Sequence, residues 1–228
     1  MRVEIYSDVV CPWCYIGHAR FARAAERYRA QGGEVEVVLR PFQLQPDAES
    51  KGEPLTAWLA AKFGGAEQAG RMTERVAAAA AEDGLTLDFG RAVHANTFEA
   101  HRLVRLAAGQ GRGAEMLDRL FRAHFTDGLD IGSAEVLAKL AAGTGVRAGF
   151  EGPDAREGAA EVREDLERAC ALGVTSVPLF LFEERFAVSG AQPSDVLFAA
   201  LEEVAERSGR APAGGAADAC DDEGSCPV

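Results

Sequence analysis

The chain has 228 residues with 24 basic and 36 acidic side chains, a net charge of −12; 47% of residues are hydrophobic and 26% charged. This composition excludes a disordered or collagen-like chain and suits one large domain or two modest ones. The acidic balance argues against a nucleic-acid partner, which needs clustered Lys and Arg, and no apolar run approaches the ~18–20 residues that cross a bilayer.

In chain order, Val3 to Ser7 is short and β-prone, bounded by Asp8. A helix-compatible run follows from Cys11 to about Ala30 and stops at Gln31-Gly32-Gly33. Residues Glu34 to Arg40 alternate as a second strand before Pro41, giving a β-α-β pattern. From Phe42 to Arg168 the strand signals vanish. Ala-rich segments with helical periodicity predict helices over 54–63, 66–82, 90–108, 113–125, 133–142 and 154–172, with Ser133 as an N-cap. After Gly173, Val177 to Phe182 and Arg185 to Val188 read as a hairpin turning at Glu183-Glu184. A last helix starts at Pro193 and runs through Val204; residues 208–228, rich in Gly, Ala, Asp and Pro, read as a flexible tail. The expected architecture is one small α/β unit split by a large helical insertion. The expected boundaries are 1–42 with 169–207 for that unit, 43–168 for the insertion and 208–228 for the tail.

Read from Met1, the N-terminus has neither a basic region nor an apolar stretch that would mark a secretory leader, so a cytoplasmic location is expected. Five cysteines in such a chain point to redox or metal chemistry before a disulfide scaffold. Cys11-Pro12-Trp13-Cys14 falls where the first strand gives way to a helix. On a first helical turn residues i and i+3 lie close, so the two sulfurs can close a small ring. The upstream sulfur faces unpaired backbone N–H groups and the positive end of the helix dipole, which favour a thiolate. Thiolate is the attacking species in disulfide exchange. Cys11 is therefore expected to attack and Cys14 to resolve. Pro12 presets the helical φ and lacks an N–H that would need a partner. The competing reading is half of a structural zinc site, but such a site wants further Cys or His ligands, and none is near in sequence. No metal or cofactor is expected.

The stretch Tyr6-Ser-Asp-Val-Val-Cys-Pro-Trp-Cys-Tyr-Ile-Gly17 resembles the DsbA-like thioredoxin superfamily, and most of all its cytoplasmic FrnE-like branch. Gly173-Val-Thr-Ser-Val-Pro178 and Val188-Ser-Gly-Ala-Gln-Pro193 resemble the same branch, so the likeness covers about residues 1–207. It implies a thioredoxin fold interrupted by a helical domain and a thiol–disulfide oxidoreductase or isomerase acting on protein disulfides. It also implies a cis Val177–Pro178 bond beside the dithiol, where Val177, Pro178 and Trp13 would contact an extended substrate. Trp13 stands where DsbA carries His, and an uncharged indole stabilises a thiolate less, so a milder oxidant is expected. Beside Pro12, two groups are candidates to modulate the thiols. Glu4 could be a buried proton relay with a raised pKa or a solvated strand-end acid. His18, a turn beyond Cys14, could tune the sulfurs or lie on the surface.

Cys170 follows Val162 and Leu166 at four-residue steps and is expected on a buried apolar helix face. Cys220 and Cys226 could form a second redox pair that exchanges with Cys11 and Cys14, an inert disulfide or an adventitious metal site. His94, His101 and His124 show no ligand spacing. The stretch Asn96-Thr-Phe-Glu-Ala-His101 resembles a segment of the superfamily's insertion and is expected to pack against the dithiol face. Expected partners are protein thiols and disulfides, with glutathione or a thioredoxin-type protein for recycling. A glutathione-dependent isomerase or transferase of the 2-hydroxychromene-2-carboxylate isomerase or kappa type, and a redox-linked chaperone with an apolar groove, stay open as alternatives.

Overall fold

The computed structural model describes residues 1–150 and 152–209; Cys220 and Cys226 lie outside the described residues. The chain forms β1 (Arg2–Ser7), α1 (Pro12–Ala30), β2 (Glu36–Pro41) and then the helices α2 (Leu55–Lys62), α3 (Ala66–Glu82), α4 (Phe98–Gly109), α5 (Gly113–Phe125), α6 (Ala134–Gly143) and α7 (Ala159–Ala171). It ends with β3 (Leu179–Phe182), β4 (Phe186–Ser189) and α8 (Ser194–Arg207). The four strands form one sheet in the order β2-β1-β3-β4, with β1 parallel to β2 and antiparallel to β3. This is the thioredoxin-like α/β fold with a large helical insertion that the sequence predicts.

Strand alternation sorts the sheet's two faces. Val3, Ile5, Phe180 and Phe182 pack with Phe21, Ala24, Ala25 and Tyr28 of α1 and with Leu197, Phe198 and Leu201 of α8. The intervening Glu4 points to the other side, where Arg40 of β2 and Arg168 of α7 meet it. A second core joins the first turns of α1 to the helices of the insertion. Val9, Cys11, Cys14, Tyr15 and Ile16 pack there with Leu103, Leu120, Phe121 and Phe125, and the Tyr15 ring stacks on Phe121 at 4.8 Å between centroids. Helix α1 thus belongs to both cores, and its N-terminus sits where they meet.

Two helices begin later than their hydrophobic period suggests. Residues 90–97 are irregular because side chains and neighbouring loops claim their backbone groups. The Asn96 carboxamide accepts the Phe98 N–H and donates to the carbonyls of Pro46 and Ala48, while the His94 N–H bonds the Glu53 carbonyl. Helix α7 starts only after Gly158, whose left-handed backbone (φ 78°) separates it from a 3-10 turn at Gly152–Arg156. The buried positions of α7 are Ala159, Val162 and Ala169. This phase leaves Cys170 one step round the helix, exposed rather than in the core as expected. At the hairpin, Glu183 and Glu184 both adopt positive φ (48° and 55°), the pairing that a tight turn between right-twisted strands demands.

Candidate active site

Cys11 is the N-cap of α1 and Pro12 takes its first position, as the spacing predicts. The Cys11 N–H is tied to the Asp8 carbonyl at 3.0 Å and its carbonyl accepts from the N–H groups of Cys14 and Tyr15, which close the first turn. Both thiols are free. Cys11 keeps 5% exposure and Cys14 none, while Trp13 stands at the rim with 42%. The Cys11 Sγ lies 3.8 Å from the Val177 carbonyl, and the Val177–Pro178 bond is cis. Pro178 reaches the dithiol helix because Gly17 has no side chain: a Cβ there would stand 2.8 Å from Pro178 Cγ. Burial pushes the Cys14 thiol well above its ordinary range; its hydrogen bond to Cys11 and the Cys11 charge push the same way. The two sulfurs are therefore inequivalent, one reaching the surface and one buried behind it with a raised pKa.

Two expected modulators are placed elsewhere. Glu4 is fully buried, so it is not a solvated strand end, and its pKa is not raised as the relay reading expects. Its Oε1 is 2.8 Å from guanidinium nitrogens of both Arg2 and Arg40, and its Oε2 accepts from the Tyr6 hydroxyl at 3.1 Å with Arg168 at 3.5 Å. Burial alone would raise its pKa, but the hydrogen bond and charge of Arg40, helped by Tyr6 and Arg168, outweigh that and hold it below the usual carboxylate range. An acid so stabilised as its anion is a poor proton shuttle. His18 sits against Ser7, with Nε2 3.2 Å from Oγ, and against the Phe121 ring. Burial lowers its pKa to about 4, so it carries no charge near neutrality to lend to a thiolate.

The insertion supplies groups that spacing alone did not single out. His101, from the Asn96–His101 stretch expected on this face, places Nε2 3.3 Å from the buried carboxylate of Asp8 and 3.0 Å from the Phe42 carbonyl. Asp8 also accepts the Leu44 N–H at 2.8 Å. The loop before the dithiol is thereby fastened to both β2 and α4. Between the dithiol and α2, α3 and α5 lies a cavity of about 410 Å³, bordered by Cys11, Trp13, Ser176 and Val177 at one end. Its walls include Leu55, Leu59, Phe63, Met72 and Val76, and Trp58, which stacks on His94 at 4.6 Å between centroids. His94 and His124 lie 30 residues apart in sequence and come together only through the packing of the helices. Among the described residues no group of His, Cys, Asp and Glu is arranged to hold a metal ion. No described helix is long and apolar enough to cross a membrane.

Comparison with known proteins places this site in context. A probable DsbA oxidoreductase from Streptomyces coelicolor is 38% identical, each chain covering 100% of the other, with a TM-score of 0.79. A 2-hydroxychromene-2-carboxylate isomerase shares the fold at 15% identity and a TM-score of 0.65, over 92% of this chain and 98% of that one. The cytosolic disulfide reductase DsbM from Pseudomonas aeruginosa, also solved with glutathione, shares it at 22% identity and a TM-score of 0.60, over 91% of this chain and 100% of that one. Residues 2–202 match the DSBA-like thioredoxin domain, and the chain belongs to that family.

Proposed function

We propose that the protein is a thiol–disulfide oxidoreductase of protein disulfides, with Cys11 as nucleophile and Cys14 as resolving thiol. The observation that carries this reading is the asymmetry of the pair beside the cis-proline loop: Cys11 keeps an opening next to the Val177 carbonyl, and Cys14 is sealed behind it with a raised pKa. In reduction, the Cys11 thiolate attacks one sulfur of a substrate disulfide and the other leaves as a thiolate. The Val177 backbone and the exposed Trp13 rim hold the extended substrate chain while the mixed disulfide lasts. Cys14 then loses its proton and attacks the Cys11 sulfur. The substrate's second thiol departs, two electrons have passed to the substrate, and Cys11 and Cys14 are joined. Two molecules of a small thiol such as glutathione, or one dithiol protein, restore the pair. The occurrence of a glutathione-bound DsbM supports the first route.

In a compartment poised near about −220 to −320 mV a dithiol without a stabilised reduced form works as reductase or isomerase. A glutathione-dependent isomerase of the 2-hydroxychromene-2-carboxylate type needs no second thiol, and the buried Cys14 directly behind Cys11 favours exchange over that chemistry. The test is reduction of a protein disulfide by wild type, Cys11→Ser and Cys14→Ser with glutathione as the reductant. The proposal expects loss of turnover in Cys11→Ser and strong slowing in Cys14→Ser. Full turnover in Cys11→Ser would refute it.

A further inference from the structure

We propose that the cavity beside Cys11 is a specificity pocket for a tyrosine side chain flanking the reactive cysteine of a protein substrate, with His124 hydrogen-bonding the phenol hydroxyl. This rests on the dithiol reading above. The cavity ends on the sulfur that forms the mixed disulfide and on Ser176 and Val177, so a chain held there directs the residue next to its cysteine toward the opening. The walls are aliphatic and aromatic, from Leu59, Phe63, Met72 and Trp58, and the volume of about 410 Å³ has room for a six-membered ring. Lys62, laid over the Trp58 ring, and Asp8 also border the cavity, but along the apolar walls a charged side chain would leave its hydration unreplaced.

The polar handle is His124 of α5, which lines the same cavity. It is fully buried, and among the described residues neither Nδ1 nor Nε2 has a hydrogen-bond partner. A buried imidazole normally finds one, and an unmet donor and acceptor in a dry site are costly. Its neighbour Phe125 meets it edge to face, fixing the ring without satisfying either nitrogen. Burial lowers its pKa to about 4, so near neutrality the ring is uncharged, with one nitrogen to donate and one to accept. A hydroxyl is the matching tip. A carboxylate is not, because the buried Asp8 already places a negative charge close by. A tyrosine combines an apolar ring for these walls with a hydroxyl for His124.

The test uses disulfide-linked dimers of acetyl-Gly-X-Cys-X-Gly-amide with X as Tyr, Phe or Ala, the full chain as catalyst and glutathione as the reductant. For wild type the rate constant kcat/KM is expected to fall by about tenfold from Phe to Ala through lost ring burial. Tyr is expected to exceed Phe by about threefold to tenfold through the hydrogen bond. In His124→Phe the Tyr-to-Phe ratio should drop to one or below; in His124→Gln, which keeps a neutral donor and acceptor, part of the preference should remain. Equal wild-type rates for Tyr and Ala would overturn the pocket, and a Tyr preference surviving in His124→Phe would overturn the role of His124. Should that variant fail to fold, the wild-type series and His124→Gln still decide the matter. Wild type that reduces none of the peptides would instead refute the dithiol reading itself.

Discussion

Replacing Glu4 with Gln separates a structural acid from a catalytic one. Its carboxylate is fully buried and faces three guanidinium groups: Arg2 and Arg40 at 2.8 Å and Arg168 at 3.5 Å. Among the described residues Arg40 retains Asp165 as its second acidic partner, and its own side chain is largely buried. Gln removes the negative charge and turns an N–H₂ group toward either the Arg pair or Tyr6 and Arg168. Breaking one partner of a buried charge cluster costs about 3–5 kcal/mol. The residual carbonyl contact and the half-exposed Arg2 and Arg168 keep the loss toward the lower end, about 3 kcal/mol. For a chain of this size that corresponds to a fall in melting temperature of roughly 6–12 °C. The assay is thermal unfolding at pH 7 paired with disulfide reduction measured well below the transition. The expected result is a large loss of stability with turnover per folded molecule within about twofold of wild type. Unchanged melting combined with a loss of turnover near the 10²-fold of a missing proton shuttle would refute the structural assignment.

Three further outcomes follow from the same geometry. His18 and His124 are held neutral with pKa values near about 4, below the ordinary 6.5, so the unfolded chain binds more protons between those values and stability falls as pH drops through that window. Each should cost about 3 kcal/mol by pH 4, and chemical denaturation at pH 7, 5.5 and 4 checks it; flat stability across the window would contradict the burial of both rings. Gly17→Ala, which drives a Cβ against Pro178, should destabilise by about 1–3 kcal/mol and slow disulfide exchange by roughly tenfold or more, because the loop that positions substrate is pushed off the dithiol helix. Wild-type melting and kinetics in that variant would show that the close approach has no role. Equilibration with glutathione should give a potential well below the about −120 mV of DsbA, since Trp13 offers no positive charge to the Cys11 thiolate; a value near −120 mV would refute that account of tuning.

Much of the architecture was legible because it is local. Strand alternation, the Gly stops and the Pro12 helix start located the β-α-β unit and the closing hairpin, and the dithiol announced itself by its spacing at a strand-to-helix junction. Boundaries failed where tertiary bonds overrode periodicity, as at Asn96, whose carboxamide holds residues 90–97 out of a helix. The fate of Glu4 was not legible, because burial and pairing depend on Arg40 and Arg168, which lie 36 and 164 positions away. A proton relay and an ion-cluster anchor need the same residue in the same strand. Cys170 shows the sensitivity of helix phase: one residue of rotation exchanged its place in the core for solvent, with Ala169 buried instead. The cavity histidines were invisible for a simpler reason. His94 and His124 come from different segments of the insertion, and no single-element pattern records their meeting beside the dithiol.

The central claim is the division of labour between the two sulfurs. Cys14→Ala and Cys11→Ala variants, expressed in cells, quenched at once in acid and then alkylated near neutral pH under denaturing conditions, can be compared by non-reducing electrophoresis and mass spectrometry. The account predicts mixed disulfides with cellular proteins carried on Cys11 in the first variant and none in the second. Equal trapping by the two variants, or trapping on Cys14 alone, would contradict it.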